Sequence, residues 1–397
     1  MLINKARAHQ IMKKHGVEAI VASMPENVTY LTDFWSIGHW VLKGTPTYAV
    51  LPLEEKTKPF VVTTISDLDL AADQKNCWIK EFRTFGTFYV ECPEGVSLSQ
   101  GEKRFKDILS STKHYEDAVS ALVNGLMDKG LAKCRIAIDE MNITPTLYRN
   151  IQKKLPEAEI IDGYPILREI RAVKTPEEVD RLKRSTEITE KAFMKAIETI
   201  HEGVTELEIS ETFLNTIAKE GGVPVITCIG AGTHSGFPNV TASDYRVKKG
   251  DLIRFDIGCI YKHYYSDTAR IAVLGKPTEK QRSYYQAIKV GEDRALALIR
   301  PGTRASQVFE EAVKAVREAG IPHYRRGHVG HGIGVECYDP PFLTPTSEHI
   351  LEEGMVVNVE TPYYELGFGG VQVEDTLIVT KDGYQLLTKS ARDLFIL

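Results

Sequence analysis

Cysteine is sparse and scattered. The six residues Cys77, Cys92, Cys134, Cys228, Cys259 and Cys337 form no CxxC pair and no zinc-ribbon spacing. That excludes a disulfide framework and predicts reduced, largely buried thiols in a cytoplasmic protein. Nowhere do about 18 apolar residues run together, so no membrane span is expected. The N-terminal Met-Leu-Ile-Asn-Lys-Ala-Arg is followed by His9, Lys13 and Lys14 where a secretory leader would be apolar, and no export is expected. Positive charge is not in excess either. With 49 Lys and Arg against 54 Asp and Glu, the net charge of −5 offers no basic field to draw a phosphate backbone, and nucleic acid is not expected as a partner. Internal repeats, Gly/Ser linkers and low-complexity tracts are missing as well.

What remains is an ordinary globular composition, 43% hydrophobic and 26% charged over 397 residues. At roughly 150 residues per domain that length gives about 2.6, and two domains are expected. From Val17 to Leu167, short β-rich segments (VEAIVAS, TYAVLPL, KPFVVTT, CRIAIDE, EIIDGY) alternate with helical patterns such as 101–129, predicting a small α/β domain over 1–167. A capping box then opens a long helix: Thr175, Pro176 at the first helical position, and Glu178. A second helix over about 205–220 ends at Gly221-Gly222. Strand patterns around 223–230, 251–274, 355–361 and 371–379 flank helices near 279–299 and 304–319, so residues 168–397 read as α+β with an antiparallel sheet.

Chemistry concentrates on two hairpins. In DLIRFDIG, Ile253, Phe255 and Ile257 share one strand face while Leu252, Arg254 and Asp256 share the other. Asp267 follows in YYSDTAR, and a reversal at Tyr261-Lys262 would set it directly opposite Asp256. Two facing carboxylates repel unless a cation or a proton joins them; two exposed surface acids are the alternative. The second hairpin repeats the pattern. Glu360 in VVNVE is in phase with Val356 and Asn358, and Glu374 in VQVEDTLIV with Gln372 and Thr376, across ELGFGG. Acids inside Val-rich strands are rarely buried without a partner.

Between the hairpins, RRGHVGHGIGVECYDPP carries Gly330, Gly332 and Gly334, which allow close backbone approach around His331. No Walker pattern follows, which argues against a phosphate loop. One imidazole and four carboxylates make an oxygen-rich site suited to two divalent ions, whose charge would cancel that of the acids and leave room for a bridging hydroxide.

Taken in order, Asp256, Asp267 with its TAR, His331 in GHGIG, Glu360 in VETPYY and Glu374 in VEDT resemble the M24 metallopeptidase family. That family includes Xaa-Pro aminopeptidases, prolidases, methionine aminopeptidases and the metal-free creatinase. The resemblance spans the chain, through NVTYLTDF at 27–34 and LREIRAVKTPEEVDRLK at the domain junction. It implies a pita-bread α+β catalytic domain over 168–397 behind a smaller creatinase-like α/β domain, two Mn, Co, Fe or Zn ions, and commonly a homodimer. By that resemblance Asp256 binds one metal and His331 the other, while Asp267, Glu360 and Glu374 bridge or share them, with Glu360 as general base. Hydrolysis of an amide-type C–N bond follows, in an Xaa-Pro peptide or in a small molecule.

Three positions depart from the peptidase pattern. Tyr338 stands where members carry a histidine seven residues after the metal-binding one, Asn239 where another precedes the first aspartate, and Gln372 where Xaa-Pro aminopeptidases often have arginine. Tyr338 and Asn239 can still donate to a developing oxyanion, but neither titrates near neutrality. His234 and His328 are candidates to compensate, with structural roles as the alternative. These departures keep other readings open: a creatinase-like hydrolase or metal-dependent lyase of a small non-peptide substrate, or a non-catalytic binding protein. In DFWSIGHW, Trp35, His39 and Trp40 could wall a pocket and limit substrate length, or could be core or dimer contacts.

Overall fold

The computed structural model describes residues 1–42 and 45–397, and its contacts divide the chain into two compact units, Met1–Arg171 and Ala172–Leu397. In the first unit the β-rich segments become β1 (Ala19–Ala22), β2 (Tyr48–Pro52), β3 (Phe60–Thr64), β4 (Glu81–Phe85), β5 (Lys113–Tyr115), β6 (Arg135–Ile138) and β7 (Glu159–Asp162). They form one mixed sheet in the order β5-β4-β3-β2-β1-β6-β7. Its central strands are buried on both faces, which is why they read as continuous apolar runs rather than alternating ones. Val21, Val50, Phe60, Val62 and Ile136 pack against Val119, Leu122 and Leu126 of the helix Ala118–Asp128.

The single helical pattern expected over 101–129 is interrupted. A helix Gln100–Ser111 gives way to β5, and Asp117 restarts the chain as a helix by accepting from the Ser120 amide. An Asp side chain that satisfies a free amide at a helix start competes with helix continuation through it.

In the second unit the Thr175 capping box forms as expected. The Thr175 hydroxyl accepts from the Glu178 amide while the Glu178 carboxylate takes the Thr175 amide, and the helix runs Pro176–Ile197. The helix Glu206–Lys219 follows, with Thr205 and Glu208 repeating the device. Beyond it lie β8 (Val223–Ala231), β9 (Leu252–Tyr261), β10 (Tyr264–Tyr265), β11 (Thr268–Val273), β12 (Gly330–Gly332), β13 (Asp339–Phe342), β14 (Val356–Glu360), β15 (Tyr363–Glu365), β16 (Gly369–Val371), β17 (Glu374–Thr380), β18 (Gly383–Leu386) and β19 (Phe395–Ile396). A ten-stranded sheet runs β10-β9-β11-β17-β14-β12-β13 with β8, β18 and β19 at its flanks. Helices Glu279–Leu296 and Ala305–Glu318 bury Ile288, Ala295, Val308 and Ala312 with Val357, Val359 and Leu377 of the sheet. On the other side, Phe193, Phe213 and Ile217 of the two earlier helices pack on Phe255 and Ile257. A sheet clamped between two helix pairs forces every polar side chain along it to find a partner.

The first hairpin turns one residue later than expected, which moves the pairing by two. The chain reverses at Lys262-His263, both at positive φ (46° and 69°), so Asp256 lies opposite Ala269 rather than Asp267. Two positive-φ residues give the primed turn whose twist matches the strands, and a tight hairpin prefers it even without Asn-Gly. The carboxylates still share a face, but on a diagonal of about 7–8 Å.

Candidate metal centre

Three strands at the middle of the sheet each contribute donors. Glu360 closes β14 and Glu374 opens β17, and the two are direct cross-strand partners. Asp267 immediately precedes β11, and His331 sits in the centre of β12. Donor atoms of Asp267, His331 and Glu374 all lie within 4.8 Å of one another, and all three residues are buried. The glycines around His331 prove to be matters of strand packing. A Cβ on Gly330, whose φ is +147°, would meet the Asn358 carbonyl, and one on Gly332 would meet that of Pro340. At these two glycines the close approach is that of neighbouring strands, while at Gly334 it is that of the Lys174 side chain.

His331 is prepared for ligation. Its Nδ1–H donates to the Gly332 carbonyl at 3.0 Å, which leaves the Nε2 lone pair facing Oδ2 of Asp267 at 3.7 Å. Nε2 of His331 and Oδ1 of Asp267 are both buried and find no hydrogen-bond partner among the described residues. Burial drives the His331 pKa down to about 4, so the imidazole is neutral at physiological pH. Burial likewise pushes the carboxyls of Asp256, Asp267 and Glu374 upward, and neighbouring acids add to the rise for Asp267 and Glu374. Glu360 is raised to about 7 by burial, opposed by Arg326. A cluster of acids that resists ionising and a buried imidazole with an orphaned lone pair are what a divalent cation would relieve. The donor set therefore fits a metal ion.

Residues not singled out from sequence fix these donors. Asn358 Nδ2 donates to Glu374 Oε1 at 2.9 Å, and Thr376 Oγ1 donates to the Asp267 carbonyl at 2.9 Å. Arg254 is wholly buried, and its Nη1 reaches Asp256 Oδ2 and Gln372 Oε1, each at 3.0 Å. Arg326 Nη2 lies 3.5 Å from Glu360 Oε2. The strand phase held the signal for Arg254 and Asn358, since each is two residues from an acidic ligand and must share its face.

The remaining candidates divide. His328 joins the cluster, with Nδ1 at 3.2 Å from Glu360 Oε1. Tyr338 stacks on the His331 ring at 3.8 Å between centroids, the residue as a whole being 49% exposed. Gln372 is buried, accepting from Arg254 and from the Tyr364 hydroxyl at 3.3 Å, with Nε2 3.5 Å from Glu374 Oε2. His234 instead faces the buried carboxylate of Glu206 through Nδ1 at 2.9 Å. Asn239 is exposed beside Pro238. In the first unit, His39 is buried and held by the Ser23 carbonyl at 2.7 Å, the indole of Trp40 reaches Thr29 Oγ1, and the Trp35 backbone is tied to Gln74. All six cysteines carry free thiols. Among the described residues no helix is long and apolar enough to cross a membrane.

Residues 180–381 match the metallopeptidase family M24, and residues 5–173 match the creatinase/prolidase N-terminal domain. A Xaa-Pro dipeptidase of Pyrococcus horikoshii is 36% identical over 387 residues, 97% of this chain and 96% of its own. One from Pyrococcus furiosus is 34% identical over 64% of this chain and 74% of its own. Among solved structures, a Xaa-Pro dipeptidase from Bacillus anthracis superposes with a TM-score of 0.81 at 23% identity, covering 99% of both chains. An X-Pro aminopeptidase from Thermotoga maritima gives 0.78 at 23%, also covering 99% of both. These last two likenesses establish the fold, a creatinase-type N-terminal domain followed by the pita-bread domain.

Proposed function

Because the chain belongs to the metallopeptidase family M24, we propose that it hydrolyses the Xaa-Pro bond of dipeptides or short peptides with the help of bound divalent metal. The observation that carries the reading is the convergence of Asp267, His331 and Glu374, with Oδ1 of Asp267 and Nε2 of His331 buried and unpartnered among the described residues, in a chain 36% identical along nearly its whole length to a Xaa-Pro dipeptidase. A divalent ion there would supply Lewis acidity toward the scissile carbonyl and lower the pKa of a bound water.

The chain's own residues supply the rest. Asp267, His331 and Glu374 would hold an ion, and Asp256 and Glu360 would be donors to a second, of the Mn, Co, Fe or Zn type. Glu360, beside the ion site and held by Arg326 and His328, is the candidate to take a proton from water. The Tyr338 hydroxyl is the candidate donor to the oxygen that gains charge, with Asn239 and His328 as further polar contacts. Trp35, His39 and Trp40 remain candidates for limiting substrate length. Within the N-terminal unit this loop is held by the bonds of His39 to the Ser23 carbonyl and of the Trp35 backbone to Gln74. A homodimer in the cytoplasm completes the proposal, the compartment resting on six unpaired thiols.

The test is a screen of Xaa-Pro dipeptides, longer proline peptides and small amides or amidines, with the purified chain loaded in turn with Mn, Co, Zn and Fe. Release of free proline from Xaa-Pro dipeptides supports the reading. Turnover confined to small non-peptide C–N compounds would overturn it in favour of a creatinase-like hydrolase, the outcome that Tyr338, Asn239 and Gln372 would then explain. Incorporation of one oxygen from labelled water distinguishes hydrolysis from a lyase reaction.

A further inference from the structure

The two ends of the acidic cluster are not equivalent. At one end, Oδ1 of Asp267 and Nε2 of His331 have no partner among the described residues, and the side-chain carboxylate of Glu374 accepts from the neutral amides of Asn358 and Gln372. At the other end, Asp256 is already paired with a cation. Arg254 Nη1 sits 3.0 Å from its Oδ2, and that guanidinium is fixed on every side. Nε donates to the Ser235 carbonyl at 3.0 Å, Nη2 to the carbonyls of Phe237 and Pro238 at 2.7 and 2.8 Å, and Nη1 also to Gln372. Arg254 has no exposed surface, and the Tyr364 ring covers its guanidinium at 5.1 Å. A planar fork with this many partners cannot swing aside as a lysine could.

The charge count points the same way. Four carboxylates, Asp256, Asp267, Glu360 and Glu374, give −4. Arg254 on Asp256 and Arg326 on Glu360 give +2, leaving −2, the charge that a single divalent ion cancels. Buried charge that is left uncompensated in either sign is costly, so the balance decides how many ions the cluster accepts readily.

We propose that Arg254 takes the place of a cation at the Asp256 end of the cluster. This chain then holds one divalent ion tightly on Asp267, His331 and Glu374, and a second ion enters only against the Arg254–Asp256 pair. The inference rests on the metallopeptidase reading and deepens it. Arg254 becomes the residue that sets ion occupancy, a positioning residue that acts through Asp256 and, by way of Gln372, on Glu374.

The experiment is a Co(II) titration of the metal-free full-length chain, followed by calorimetry and by elemental analysis after equilibrium dialysis. One ion per chain is expected at low free Co(II), with the second at least about 100-fold weaker. Arg254→Met, which removes the charge and keeps an apolar stem, is expected to tighten the second ion by about tenfold or more, while Arg254→Lys, which keeps the charge, leaves it weak. His331→Ala should lose the first ion. Two ions of comparable affinity in the wild type would overturn the inference and leave the peptidase reading standing. So would a second ion that is no tighter in Arg254→Met. Should Arg254→Met not fold, Arg254→Gln, which also removes the charge and keeps a polar stem, carries the same expectation and the same power to overturn it. No Co(II) uptake by the wild type would sink the metallopeptidase reading itself.

Discussion

Glu360 and Glu374 face each other as a direct pair between β14 and β17, two acids at the centre of a sheet that is otherwise valine-rich. Like charges opposite one another destabilise a sheet. Their position is tolerable only because Arg326 and His328 meet the first and Asn358 the second, and because the lone pairs that remain are directed to where a cation can sit.

Metal removal should therefore be felt as lost stability. Stripping the protein with chelator and restoring an ion at about 100 times its Kd is worth about 2.7 kcal/mol. For a unit of this size that is a rise of about 5–10 °C in the thermal midpoint. Calorimetric scans with and without metal check this, and His331→Ala is expected to abolish the rise.

Tyr338 offers a separation of roles. Its ring stacks on His331, and its hydroxyl is the candidate donor to the developing oxyanion. Tyr338→Phe keeps the stacked ring, so metal affinity should hold within about twofold while kcat falls about 100-fold, the loss typical of one removed donor. Steady-state kinetics on a Xaa-Pro dipeptide, set beside a metal titration of the same variant, would reveal a purely structural tyrosine if kcat were unchanged.

Glu178 makes stability depend on pH. Burial raises its pKa from 4.5 to about 7, against the opposing pull of Lys174 and its bonds from Thr175 and Tyr264. The folded-state pKa lies above the unfolded one, so its contribution is complete below about pH 4.5 and is lost as pH rises through about 7. Urea unfolding across about pH 5 to 8 should show wild type losing up to about 3 kcal/mol more than Glu178→Gln over that interval. Parallel profiles would refute the assignment.

Behind Glu374, the next residue anchors the sheet. Asp375 and Arg270 form a fully buried pair at 2.6 Å, and Arg270 also donates to the Glu374 carbonyl at 2.7 Å. Asp375→Ala strands a buried guanidinium and should cost about 3–5 kcal/mol, measured as a shift of the urea midpoint.

Much of this centre was legible in the primary structure because strand alternation is strict. Once Glu360 and Glu374 were assigned to apolar strands, their phase left them one face to share, and they share it. The first hairpin was less legible. Its turn uses Lys262 and His263 at positive φ, a conformation that neither side chain advertises, and a turn one residue later moves the pairing by two. Arg254 was visible on the correct face beside Asp256, yet its partners lie on the turn at 235–238 and at Gln372, contacts made only by the folded chain. The glycines near His331 announced a close approach but not what approaches.

That approach ties distant parts of the sheet together. A single added methyl at Gly330 would land on the carbonyl of Asn358, and Asn358 is the residue whose amide steadies Glu374. The carboxylate in β17 thus owes its aim to an atom missing from β12, and even alanine at position 330 should blunt ion capture without touching any group that binds the ion.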